Sequence, residues 1–265
     1  MNLENICQQV TELTKEVGQF ILNERKNNKS LTIEVKGLHD FVTYVDKTSE
    51  AKIVEKLSAI LPEAGFIAEE GTSTKKGEKY NWIIDPLDGT TNFIHNLTPF
   101  AISIALQEND EIILGVVHEL GLNECFYAWK DSPAFLNGEE ISVSNKETIE
   151  ESLIATGFPY YDYARMEPFL KTLEFFMENS HGVRRLGSAA TDLAYVACGR
   201  FEAFYEYSLS PWDVAAGSLI VKQAGGRISD FKGENNYIFG KEIIATNKNV
   251  FDKFLSNINS IMINQ

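Results

Sequence analysis

Cysteine is scarce in this chain: Cys7, Cys125 and Cys198 are the only three in 265 residues. An odd number, widely spaced and without a C-x-x-C pair, argues against a disulfide framework and against a cysteine-held zinc site. Such residues suit reduced thiols used for packing in a reducing compartment. Long apolar runs are also missing, and none approaches the ~20 residues that span a bilayer. The opening Met1-Asn2-Leu3-Glu4-Asn5 carries no basic segment of the kind that begins a secretion signal. A cytoplasmic protein with no membrane partner is therefore expected. Positive charge is the third scarcity, because 24 Lys and Arg face 38 Asp and Glu, a formal net charge of -14. That balance repels nucleic-acid phosphates and anionic lipid, and no basic run offsets it, so no nucleic-acid partner is expected. If the substrate is itself a phosphate, the cationic charge at its site has to come from elsewhere, and divalent metal ions can supply it.

What is present is enough apolar material for a sizeable core, 44% hydrophobic and 11% aromatic. Ile6, Val10, Leu13, Val17, Phe20 and Ile21 follow the spacing of one helical face, and Asn27-Asn28-Lys29-Ser30 marks its stop. A second helix is predicted from Thr48 to Leu61, ended by Pro62, with Asp46 just before it. From Tyr80 to Val143 the period changes to short apolar runs at Trp82-Ile84, Ile102-Leu106, Ile112-Val117 and Phe126-Ala128, the pattern of a largely antiparallel sheet. Asn137-Gly138 predicts a two-residue hairpin, since both residues tolerate positive φ. Beyond Leu153-Ala155, helices are expected at Met166-Glu178, Ala189-Cys198, Trp212-Ala224 and Phe251-Ile261. Strands are expected at Phe201-Tyr205, Gly226-Asp230 and Ile243-Ala245. The order predicts an α/β (α+β) layered sandwich of helix and sheet layers. Residues 1–150 would form an N-terminal α+β subdomain and 151–265 a C-terminal α/β subdomain, packed as one continuous unit.

Three segments place acids where chemistry could use them. In Trp82-Ile83-Ile84-Asp85-Pro86-Leu87-Asp88-Gly89-Thr90-Thr91-Asn92-Phe93, two carboxylates follow a buried strand in a turn constrained by Pro86 and Gly89. Two acids three residues apart can face one point, and the Leu87 carbonyl can join them as a hard oxygen donor, a set that favours magnesium or manganese over zinc. The N–H groups at the start of a short helix at Gly89-Thr90-Thr91 would suit phosphate. Glu69-Glu70 ends the strand-like run Phe66-Ile67-Ala68, and Asp213 opens an apolar helix. Each feature also has an ordinary reading: a solvated strand end for the first two, an N-cap carboxylate favoured by the helix dipole for the third.

Taken together, the chain resembles the inositol monophosphatase family. Five blocks match in order: Val42-Thr43 to Asp46, Glu69-Glu70, Asp85 to Phe93, Gly187-Ser188-Ala189 with Glu206, and Trp212-Asp213 through Gly225-Gly226. The likeness implies the layered inositol monophosphatase and fructose-1,6-bisphosphatase fold and a phosphomonoesterase acting with two or three Mg2+ ions, Mn2+ being possible. By resemblance, Glu69, Asp85 and the Leu87 carbonyl hold one metal, and Asp85, Asp88 and Asp213 a second. Thr90 and Asp46 orient the attacking water, with Glu69 in the catalytic set. Gly89, Thr90 and Thr91 cradle the phosphate. Gly187, Ser188, Ala189 and Glu206, with Asp88 and Asp213, meet the substrate hydroxyls, and Lys36 and Glu70 are possible members of the site. A homodimer and lithium sensitivity are implied in the same way.

The resemblance leaves the substrate open. Inositol 1-phosphate is preferred over histidinol phosphate, fructose 1,6-bisphosphate or 3′-phosphoadenosine 5′-phosphate, because Glu206 suits a polyol whereas an adenine pocket would want stacking aromatics. A reading from another class is a regulatory or binding member of the fold that works through its surface on transcription machinery. The histidines His39, His95, His118 and His181 sit beside no nucleophile in a recognisable motif, which fits attack by a metal-activated water without a phospho-enzyme.

Overall fold

The structure, a computed structural model, describes residues 1–27, 33–37, 40–159 and 162–263, excepting the side chains of 33–37 and 40–43. The chain runs α1 (Leu3–Asn27), β1 (Ile33–Gly37), β2 (Asp40–Thr43), α2 (Tyr44–Ile60), β3 (Gly65–Ala68), β4 (Tyr80–Asp88) and α3 (Thr90–Ile94). It continues with β5 (Ala101–Glu108), β6 (Glu111–Glu119), β7 (Glu124–Trp129), β8 (Ala134–Leu136), β9 (Glu139–Ile141) and β10 (Leu153–Thr156). Then come α4 (Met166–Asn179), β11 (Gly182–Arg184), α5 (Ala189–Ala197), β12 (Ala203–Tyr207), α6 (Pro211–Gln223), β13 (Arg227–Ser229), β14 (Glu242–Thr246) and α7 (Phe251–Met262).

A seven-stranded sheet is ordered β3-β4-β5-β6-β7-β8-β9, and a five-stranded sheet β11-β10-β12-β14-β13. The first is antiparallel except for β3, which runs parallel to β4. The second is parallel where β10 meets β11 and β12, and antiparallel at β14.

The central strands β4, β5 and β6 of the large sheet are buried on both faces, which is why they read as unbroken apolar runs rather than alternating ones. Trp82, Ile84, Ile102 and Ile104 pack with Ile6, Val10 and Leu13 of α1 and Ile53 and Leu57 of α2. Their neighbours Ile83, Ala101 and Ala105 turn the opposite way, against Ala190 and Leu193 of α5 and Ala216 and Ile220 of α6. The same two helices cover Phe204, Ile243 and Ala245 of the small sheet. The far face of that sheet, with Ile154, Tyr205 and Ile244, packs on Phe169 and Phe176 of α4 and Phe254 and Ile258 of α7. The layers thus alternate helix, sheet, helix, sheet, helix, in agreement with the sandwich expected from the sequence.

The predicted hairpin is present, with φ 50° at Asn137 and 94° at Gly138 between β8 and β9. One boundary needs correction. Asp46 does not precede the second helix; α2 begins at Tyr44, so Asp46 lies in its first turn, held on the buried face with Glu50, Ile53 and Leu57. The chain passes from β2 into α2 without a loop, and no Gly or Pro within Asp40–Tyr44 marks the start. The described residues contain no helix long and apolar enough to cross a membrane.

Candidate active site

In a regular strand, side chains three residues apart point to opposite faces. Asp85 and Asp88 escape that rule because β4 bulges between them. Asp85 pairs with Ser103 and Asp88 with Ala101, so two residues of β4, Pro86 and Leu87, lie opposite Ile102 alone. Pro86 fits there since it has no ladder N–H to lose. The bulge turns both acids to the face covered by α5 and α6, while Leu87 goes into the α1/α2 core.

Two helix starts meet the bulge. Asp88 Oδ2 accepts hydrogen bonds from the Ser188 hydroxyl (2.6 Å) and the Ala190 N–H (2.8 Å) at the beginning of α5. The helix dipole favours a carboxylate in that place. Asp213 lies in the first turn of α6, where its Oδ2 accepts from the Ser210 N–H at 2.7 Å. The N-cap is therefore Ser210 and not Asp213 as weighed from sequence; Asp213 is the N3 partner of a capping box, a role that uses one oxygen. Oxygens of Asp85, Asp88 and Asp213 come within 4.8 Å of one another, the acidic group among the described residues that could hold a metal ion. Glu69 is not in that tight group. It stands beside it at the end of β3, its N–H donating to Ile84 O (3.2 Å), and it exerts the largest charge effect on Asp85.

The electrostatics show what the group lacks. Burial, then repulsion from Glu69, Asp88 and Asp213, pushes the Asp85 carboxyl well above the usual range. Asp213 is raised by burial and by Asp88. Asp88 is raised by burial to about 6, in spite of its hydrogen bonds to Ser188 and α5. Buried like charges of this kind need protons or cations between them. A set of hard oxygen donors, each with a hydrogen bond fixing one side, fits Mg2+ or Mn2+.

Next to the acids, the Thr90 hydroxyl lies 3.0 Å from Leu87 O and 3.2 Å from Asp46 Oδ1. Asp46, which the resemblance made Thr90's partner, reaches it from α2. Gly89, with φ 89°, begins the turn into α3. A Cβ on it would lie 3.0 Å from Pro99 O and 3.2 Å from Gly187 O, so glycine lets the 89–91 and 187–189 segments close on each other. Asn92 ties them, its Nδ2 donating to Leu186 O and Pro99 O, both at 2.8 Å. Gly89, Thr90, Thr91, Gly187, Ser188 and Ala189 are thus gathered at one edge of the acid group. First-turn N–H groups such as those of Thr90 and Thr91 have no acceptor within a five-residue helix. The Glu70 backbone N–H donates to Glu50 Oε2 at 2.7 Å. The Lys36 side chain lies outside the described residues.

Glu206, on β12, is buried, and burial raises its carboxyl to about 8 although Arg185 draws it down. Beside it stands a residue that the sequence reading passed over. Asp192 is a buried acid in the apolar α5, raised by burial and by the charges of Glu206 and Asp88. Its Oδ1 has no hydrogen-bond partner among the described residues. A single acid amid Ala189-Ala190-Thr191 and Leu193-Ala194 was the available signal. Arg185, whose charge bears on Asp88, Asp192 and Glu206, was missed as well, because nothing local to it is unusual. Gly157 was a third. A Cβ there would lie 1.9 to 2.1 Å from the Glu206 carboxylate, so Glu206 occupies the space that a side chain would take.

The model of the inositol monophosphatase family matches residues 2–262. A curated relative, the "putative Nus factor SuhB" of Neisseria meningitidis serogroup B, is 38% identical over 247 residues, 93% of this chain and 95% of its own. A "fructose-1,6-bisphosphatase/inositol-1-monophosphatase" from Thermotoga maritima is 41% identical over 226 residues, 85% of each chain. The crystal structure of extragenic suppressor protein suhB from Bartonella henselae superposes with a TM-score of 0.91 at 35% identity, over 96% of this chain and 98% of that one. With a match across nearly its whole length, and with the motif acids drawn together by a strand bulge and two helix starts, the chain belongs to the inositol monophosphatase family.

Proposed function

We propose that this protein is a Mg2+-dependent phosphomonoesterase that converts myo-inositol 1-phosphate and water to myo-inositol and phosphate. The observation that carries the reading is the group Asp85, Asp88 and Asp213, three carboxylates within 4.8 Å beside the Thr90 and Asp46 pair. In this reading Asp85, Asp88 and Asp213, with Glu69 and the Leu87 carbonyl, hold two or three divalent ions. Bound there, the ions supply positive charge to the phosphate oxygens and the leaving alkoxide and acidify water. Thr90 Oγ1 accepts from the attacking water and passes its proton toward Asp46 Oδ1. The N–H groups of Gly89, Thr90 and Thr91 orient the phosphate. Glu206, with a carboxyl near 8, is protonated at neutral pH. It can then both donate to and accept from vicinal hydroxyls, which suits a polyol better than the ammonium of histidinol phosphate. A cytoplasmic homodimer, inhibited by lithium through one metal position, and two subdomains meeting near residue 150 complete the proposal.

The test is phosphate release from inositol 1-phosphate, histidinol phosphate, fructose 1,6-bisphosphate and 3′-phosphoadenosine 5′-phosphate, in Mg2+ or EDTA, by the native protein and Asp85→Asn. Release from inositol 1-phosphate should lead the panel, require Mg2+, and fall at least about 1,000-fold in the variant, equivalent to roughly 4 kcal/mol of transition-state stabilisation. Silence on every substrate would sink the reading. A regulatory role on transcription machinery is favoured by one finding, the Nus factor name carried by the Neisseria relative. It would then become first choice.

A further inference from the structure

Helix α2 touches the candidate site twice. Asp46, in its first turn, meets Thr90; Glu50, one turn later on the same buried face, meets the turn that follows Glu69. The Glu50 carboxylate is wholly buried and gathers three donors from that turn: the Glu70 N–H on Oε2 at 2.7 Å, and the Thr72 N–H and hydroxyl on Oε1, both at 2.8 Å. Gly71, at φ 65°, lets the chain fold around it. The arrangement is unusual for a surface turn: Gly71 and Thr72 face solvent, yet their conformation is set from below by an anion on a helix. On the other side, the Glu69 N–H is tied to Ile84 O, one residue before Asp85. Glu69 therefore sits between two anchors, the β3/β4 ladder and the Glu50 carboxylate.

We propose that Glu50 is a positioning residue of the metal site, holding the 70–72 turn so that the Glu69 side chain is presented to Asp85. The proposal rests on the metal-dependent reading above. Its chemistry is specific to a carboxylate. Both oxygens accept, one from Glu70 and one from Thr72, and in Glu50→Gln one of them becomes an NH2 facing an N–H. The shape is kept while one anchor turns repulsive. Both Glu50 oxygens are taken up by the Glu70 and Thr72 donors, so its loss acts through Glu69 on metal affinity rather than on turnover at saturating metal.

The experiment compares native protein, Glu50→Gln and Thr72→Val. Mn2+ binding is read without substrate, by the electron paramagnetic resonance of the free ion, and phosphate release is read as a function of Mg2+. The expected result is about a tenfold weaker Mn2+ affinity and a matching rise in half-saturating Mg2+ for Glu50→Gln, in the range seen when partners of metal ligands are removed. Turnover at saturating Mg2+ should stay within about threefold. Thr72→Val removes one hydroxyl donor at an exposed position, so it folds regardless of Glu50→Gln, and it should shift both constants about threefold in the same direction. Native Mn2+ affinity in Thr72→Val, and in Glu50→Gln if it folds, overturns the proposal while leaving the phosphatase reading intact. Weakened Mn2+ binding in a protein that hydrolyses none of the four phosphates would support the positioning role and overturn the phosphatase instead. Native protein that binds no Mn2+ overturns both.

Discussion

Asp85→Asn should make the metal-free protein more stable as it abolishes activity. Asp85 is buried, its oxygens within 4.8 Å of those of Asp88 and Asp213, with Glu69 adding the largest repulsion. At that separation and an effective dielectric near 20, each fully charged pair costs about 3 kcal/mol. Shared protons and penetrating water absorb much of this, so neutralising the central member should return about 1 to 2 kcal/mol. For a chain of this size that is a rise of roughly 2 to 6 °C in Tm. The amide keeps the one structural bond of Asp85, the 2.8 Å acceptance from the Leu87 N–H, and costs little in packing. Mg2+ should then invert the order. Native protein at about 100-fold over its dissociation constant gains roughly 2.7 kcal/mol, and the variant, missing a shared ligand, gains little. Scanning fluorimetry in EDTA and in Mg2+ reads both. An Asp85→Asn variant less stable than native in EDTA, or equal Mg2+ stabilisation of the two, would refute the view of these acids as a cluster arranged around cations.

Three further outcomes follow from the same geometry. In EDTA, native stability should fall from pH 5 to 8, because Glu206 moves from its usual 4.5 to about 8 on folding. The folded state then binds more protons across that window, and the stability it contributes, a few kcal/mol, is present below 4.5 and lost toward 8. A Tm that rises over this range without metal would contradict that sign. Gly157→Ala should raise KM for a polyol phosphate about tenfold or more with a smaller change in kcat, since a Cβ at 1.9 to 2.1 Å must push the Glu206 carboxylate aside by over an ångström; unchanged KM would mean that Glu206 does not meet the substrate. Thr90→Val should lower kcat by about 100- to 10,000-fold and Thr90→Ser by less than about tenfold, because only the hydroxyl at 3.2 Å from Asp46 is needed. Equal losses in steady-state assays would show that the methyl group matters instead.

Much of this protein is written locally. The turn expected at Pro86-Gly89 is instead a bulge inside β4, which runs to Asp88. The face of α1, the Asn137-Gly138 hairpin and the run from Trp82 into the acids are nonetheless decided by residues within a few positions of one another, where period and positive φ act directly. The acids Asp85 and Asp88 could be singled out for that reason, and the resemblance carried Glu69, Asp46 and Asp213 to their places beside them. Other facts needed the tertiary structure. The start of α2 at Tyr44, directly after β2, puts Asp46 inside the helix. The bulge that turns Asp85 and Asp88 to one face exists only in the pairing of β4 with β5. Glu50 and Arg185 look like unremarkable charges in the sequence, Asp192 shows only as a lone acid in an apolar helix, and Gly157 looks like an ordinary turn glycine. Each matters through a partner remote in the chain: Glu50 through Glu70 and Thr72, Gly157 through Glu206, Arg185 and Asp192 through Asp88. Burial, repulsion between like charges and the space a Cβ would fill are properties of the assembled layers, and they exist only once α5 and α6 have closed over the sheet.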